Sequence, residues 1–214
     1  MEEDISIINN ATRIEKIKIF LINYKKKIII LLSILIFLVL SFFIYEEIQK
    51  RNKENLAKKY NYLIINFVSD NKIDIENEMI KIIESKDKTY SPLALYFLID
   101  NNIIVSKQKL NSLFDVLIYE TNLNKEIKNL IIYKKGLFNS NFATENDLLK
   151  ILKPIINSES IWSSHALHLM AEYFLSKNER QKSKQFFEKI INLENSNQNI
   201  LLESKKKMQH EFSE

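Results

Sequence analysis

The chain has 214 residues, 46 % of them hydrophobic and 27 % charged, a balance that suits a folded protein rather than a disordered tail. Its formal charge of +4 is shallow and only Arg13, Arg51 and Arg180 are arginines, so the basic surface of a nucleic-acid binder is missing. With no cysteine and one glycine, thiolate metal sites, disulfides and a glycine-rich phosphate cradle are excluded as well.

The first 27 residues carry six Lys/Arg against four Asp/Glu. Thr12 followed by Glu15 has the spacing of a capping box. Ile14, Ile17, Leu21 and Tyr24 then recur at helical spacing, with Arg13, Lys16 and Lys18 off that stripe. Two readings stand: an amphipathic helix on the cytoplasmic leaflet, or a frayed extension of the segment that follows.

Residues 28–45 contain no charge, no proline and no glycine. At 1.5 Å per helical residue they cover about 27 Å, close to the ~30 Å hydrocarbon thickness of a bilayer. A core helix of a soluble protein would carry a polar stripe, and this stretch is apolar all round. A cleaved export signal would end in small residues, whereas Ser41 is followed by Phe42, Phe43, Ile44 and Tyr45. The reading is an uncleaved transmembrane anchor with aromatics at one interface. Lys25, Lys26 and Lys27 abut its start and Glu46 and Glu47 its end, which favours a cytoplasmic N-terminus. The lack of cysteine is compatible with an oxidising compartment beyond the membrane.

Beyond the anchor every stretch reads as helix. Leu56, Tyr60, Leu63, Ile64 and Phe67 form one stripe, and Ile75, Met79, Ile82 and Ile83 the next. Ser91-Pro92, Ser106, Asn124 and Thr144 are expected N-terminal caps, Gly136 a terminator, and Pro154 a stop or kink. The last stripes span 161–175, 181–191 and 199–212. Short connections such as "SKNER" make neighbouring helices antiparallel. The fold class is all-α.

Helical pairs of about 34 residues are the signature of a tetratricopeptide-like array, which places small residues where two helices approach closely. In residues 166–192, Ala171 and Ser183 take the small positions, and Leu167, Met170, Phe174, Phe187 and Ile190 the apolar ones. Ala94 and Ser106 repeat that spacing, with Leu93, Phe97, Leu110 and Leu113 apolar. The pair between them, around Ile131, shows no small residue that fits. An irregular helical bundle is the competing architecture.

"RIEKIKIFLINYKKK", one span, the long helix "EEIQKRNKENLAKKYNYLI" and degenerate helical pairs together give a layout. That layout resembles the ancillary SecYEG translocon subunit family, whose members carry a tetratricopeptide-like periplasmic domain. The resemblance implies a cytoplasmic segment 1–27, a transmembrane helix 28–45 and a periplasmic helical-repeat domain 46–214. It further implies a bacterial inner-membrane protein that contacts Sec translocon subunits and helps exported clients meet periplasmic chaperones. A scaffold for another envelope assembly is the alternative.

His165, His168 and Glu172 share one helical face, the arrangement from which metal ligands are built. The strong third and fourth ligands of a zinc site are missing from their neighbourhood in sequence. In the repeat register the same three residues line the inner groove, which makes them candidates for partner contact. Ser163, Ser164 and His165 adjoin only in sequence, and helical neighbours point apart, so no nucleophile and base are paired. Trp162, Phe186 and Phe187 read as packing residues. No cofactor is expected, and the expected role is binding rather than catalysis.

Overall fold

The computed structural model describes residues 2–67, 72–104 and 106–212, and among them there is no strand. The helices are α1 (Glu2–Ile65), α2 (Lys72–Glu84), α3 (Tyr90–Asp100), α4 (Lys107–Asp115), α5 (Lys125–Asn139), α6 (Glu145–Ile156), α7 (Ser163–Ser176), α8 (Arg180–Ile191) and α9 (Gln198–Phe212). The protein is all-α. The chain divides into two compact units, Met1–Asn55 and Leu56–Glu214.

The first unit consists of helix α1 up to Asn55. Every residue from 29 to 55 is exposed, which is what an apolar helix shows when it has no protein partner. Helix α1 runs without a break through Thr12, so Thr12 does not start a helix and the expected capping box does not form. The rings of Phe20 and Tyr24, one turn apart, lie 4.8 Å from each other and tilted by 39°, and the Lys27 ammonium lies 5.6 Å from the Tyr24 ring centre.

In the second unit the end of α1 enters the core through buried Leu63 and half-buried Leu56, Tyr60 and Ile64. Glu78 on α2 holds Lys59 of α1 and, at 2.6 Å, Lys81. Helices α2 and α3 form the first hairpin, α5 and α6 the second, α7 and α8 the third, and α9 packs against both members of the last. Helix α5 also touches α7. The first helices α5, α7 and α9 thus lie side by side.

The local chemistry explains the helix boundaries. Ser106, Asn124 and Thr144 accept hydrogen bonds from the Lys109, Ile127 and Asp147 amides at 3.3, 2.8 and 3.2 Å, as their side chains predict. Helices α3 and α7 end on asparagines in the left-handed region, Asn102 (φ 49°) and Asn178 (φ 61°). Ile103 N–H then donates to the Leu98 carbonyl at 3.0 Å, and Glu179 N–H to the Phe174 carbonyl at 2.9 Å. Both ends are Schellman motifs, with asparagine supplying the left-handed residue that glycine usually provides.

Further expectations are corrected. Ser91 is not the cap of α3: Asp87 Oδ1 accepts from the Thr89 and Tyr90 amides at 2.8 and 2.7 Å. Ser91 is instead fully buried one residue inside the helix, and its hydroxyl donates to the Ile82 carbonyl of α2 at 2.7 Å. Ala94 and Ser106 do not form a close helical contact. Ala94 is buried but Ser106 is an exposed cap, because α3 pairs with the preceding α2 and not with α4. Gly136 does not terminate α5, which runs on to Asn139. It is buried where α5 meets α6, and a Cβ there would collide with the Leu152 side chain. The middle hairpin therefore does have its small residue. Pro154 does not itself end α6: it lies inside the helix, which stops two residues later at Ile156.

Helix α4 finishes in a π-helical turn, Val116–Glu120. Thr121 N–H reaches back to the Val116 carbonyl at 3.0 Å and its hydroxyl donates to the same oxygen at 3.1 Å. This wider turn buries Leu117 and Ile118 while leaving Tyr119 exposed.

Candidate functional site

Helix α7 carries the three predicted contact residues, and the packing of α5 and α9 against it decides what each can do. His165 faces α5. Its ring centre lies 5.1 Å from Trp162 and 5.7 Å from Tyr133, while Tyr133 and Trp162 stack at 5.9 Å. Burial among these rings pushes the imidazole pKa down; the polar backbone of Ile161 opposes that, and the neighbouring His168 adds to it. His165 is therefore held in its neutral form.

His168 and Glu172 face α9. His168 Nε2 is 3.8 Å from Glu203 Oε1, and its ring meets Phe187 edge-on at 5.8 Å. Glu172 Oε1 is 3.1 Å from the Lys207 ammonium. Around these pairs Leu167, Ala171, Phe187 and Ile190 form a small core that Ile200, Met208 and Phe212 of α9 close over. The structure thus divides the three residues: His165 packs toward α5, whereas His168 and Glu172 lie against α9, where Glu172 pairs with Lys207.

The neighbouring hydroxyls are equally committed. Ser163 Oγ donates to the Ile156 carbonyl at 3.3 Å, and Ser164 Oγ accepts from the Asn197 amide at 3.2 Å. Both serines are buried and act as links between α7 and the segments on either side. Among the described residues no group of three His, Cys, Asp or Glu side chains is arranged to hold a metal ion.

A second surface was not anticipated from the sequence. A cavity of about 200 Å³ lies between the π-helical turn, α5 and α6, lined by Ile118, Tyr119, Lys128, Ile132, Lys135, Ile151 and Pro154. Lys135 Nζ pairs with Asp115 at 2.7 Å, whereas Lys128 makes no ion pair among the described residues. The available signal was the stripe Lys128, Ile132, Lys135 on one face of α5, which places an isoleucine between two ammonium groups. The π-helical turn that completes the wall has no comparable sequence signature.

Among the described residues one helical stretch, Ile29–Ile65, is long and apolar enough to cross a membrane; its most apolar window has a mean hydropathy of 2.6 and no burial. No family model, curated protein or solved structure matches the chain. The functional reading therefore rests on the residues and their geometry.

Proposed function

We propose that the chain is a membrane-anchored helical adaptor. The observation that carries this reading is the unpartnered apolar stretch from residue 29 to 45, joined to a helical unit with a buried core of its own. Residues 28–45 hold the protein in the bilayer, and the unit beyond them binds protein partners. Confinement at a membrane raises the effective concentration of such a unit beside membrane-resident partners, so weak contacts suffice.

The lysine triplet at 25–27 favours a cytoplasmic N-terminus and a helical unit on the opposite side. In a bacterial inner membrane that side is the periplasm. The layout resembles ancillary Sec translocon subunits, which makes translocon subunits, periplasmic chaperones and exported clients the proposed partners. The role is binding, with tetratricopeptide-like hairpins as the binding architecture.

The test is in-cell photo-crosslinking from exposed positions, with the reactive side chain replacing Lys150 or Lys206 in turn. The reading expects translocon subunits or periplasmic chaperones in the captured products. Capture confined to respiratory or cell-wall complexes would move the protein to a different envelope assembly. Equal capture by a chain lacking residues 28–45 would remove the anchor from the account.

A further inference from the structure

We infer that the cavity between the π-helical turn, α5 and α6 docks one large apolar side chain, flanked by carboxylates, from a segment of a partner protein. The inference rests on the adaptor reading and names a surface and a partner chemistry within it.

Size sets the class of occupant. At about 200 Å³ the cavity is smaller than the roughly 300–1,000 Å³ of small-molecule clefts, and it suits a single side chain better than a cofactor. Its walls are aliphatic: Ile118 and Ile132 are buried, and Ile151 and Pro154 complete the floor and edge. Tyr119 stands at the rim with 77 % of its surface exposed. A tyrosine there offers a ring for packing and a hydroxyl for a polar contact, the combination favoured at protein interfaces. It is presented by the π-helical turn, a local departure from α-geometry of the kind that concentrates at functional sites.

Charge sets the chemistry around that side chain. The ionisable groups lining the cavity, apart from the Tyr119 phenol, are two ammonium groups, and no carboxylate lines it. Lys135 is shared with Asp115, but Lys128 has no acidic partner among the described residues. The nearest acid on the π-helical turn, Glu120, is 2.7 Å from Lys86 and so already engaged. An incoming acidic residue would meet the Lys128 ammonium, while a basic one would meet like charge. The cavity therefore selects an apolar side chain with acidic neighbours.

The experiment uses the full chain in detergent micelles and a short fluorescein-labelled peptide with one phenylalanine flanked by glutamates. Fluorescence anisotropy compares it with two controls, lysines in place of the glutamates and serine in place of the phenylalanine. The acidic phenylalanine peptide should bind saturably and both controls should bind at least about tenfold more weakly. Lys128→Glu and Ile151→Ser should each weaken the acidic peptide by about tenfold or more while the helical spectrum is kept. Lys128→Glu changes only a rim residue, so it decides the matter even if Ile151→Ser fails to fold. Absent or equal binding of the acidic and basic peptides, or full affinity in Lys128→Glu, would overturn the inference. So would a groove variant that alters self-association and leaves peptide binding untouched, because the occupant would then be a second copy. If peptide binding fails while Lys206 crosslinks still capture translocon subunits, the groove falls and the adaptor reading stands.

Discussion

Ser183 on α8 donates a 2.9 Å hydrogen bond to the backbone carbonyl of Ala171 on α7, and both residues are completely buried. The side chain of α8 thus reaches the main chain of α7, an approach that only a small residue at 171 permits. Ser91 makes the same kind of link from α3 to Ile82 of α2. In a chain with a single glycine, serine hydroxyls stitch two of the hairpins at their closest points.

Ala171→Leu should overpack this contact and cost about 1–3 kcal/mol. Ser183→Ala should cost less, about 0.5–1.5 kcal/mol, since the Ala171 carbonyl remains inside a helix. For a chain of this size each kcal/mol moves the melting temperature by about 2–4 °C. Thermal unfolding followed by circular dichroism separates the two effects. Equal melting temperatures for Ala171→Leu and the unaltered chain would contradict the close approach of α7 and α8.

Gly136→Ala sets two effects against each other. Alanine favours a helix interior over glycine by about 1 kcal/mol. Here, however, the added Cβ meets the fully buried Leu152 of α6, and overpacking costs about 1–3 kcal/mol. The second effect should win, so the variant should melt lower. Adding Leu152→Ala should make the glycine substitution nearly harmless, a coupling that a double-mutant cycle measures. Additive losses would show that the α5–α6 approach is looser than described.

His165 supplies a pH dependence. Burial beside Trp162 and Tyr133 pushes its pKa below the ordinary 6.5, so the folded state takes up its proton later than the unfolded one. The stabilising contribution of neutral His165 is therefore complete above pH 6.5 and is lost as pH falls through the lower folded-state value. Melting temperatures should decline from neutral pH downwards over that range, and His165→Gln should flatten the decline. An unchanged slope in His165→Gln would place the titrating group elsewhere.

What the sequence discloses follows from how local each determinant is. Caps at Ser106, Asn124 and Thr144 were legible because each side chain answers an amide only three residues away. The register of Ala171, Ser183, Phe187 and Ile190 was legible too, because one hairpin contains the whole contact. Ser91 looked like a cap by the same local logic, but the Ile82 carbonyl, fixed by the α2–α3 pairing, claims its hydroxyl. Gly136 sits late in its apolar stripe and so reads as a terminator; only Leu152, on the next helix, explains it. His165, His168 and Glu172 follow one another at helical spacing on α7, but the neighbours divide them, His165 packing toward α5 and the other two toward α9. The engagement of His168 and Glu172 by Glu203 and Lys207 depends on where α9 docks, which no spacing within α7 encodes.

The central claim is that residues 28–45 cross a membrane and place the helical unit on the side opposite the lysine triplet. The chain has no cysteine, so a single introduced thiol reports one position without ambiguity. Lys16→Cys and Lys206→Cys, both at exposed sites, are to be labelled with a membrane-impermeant maleimide in intact spheroplasts and again after lysis. The account predicts labelling of Lys206→Cys before lysis and of Lys16→Cys only after it. Labelling of Lys16→Cys in intact spheroplasts, with Lys206→Cys protected until lysis, would contradict it.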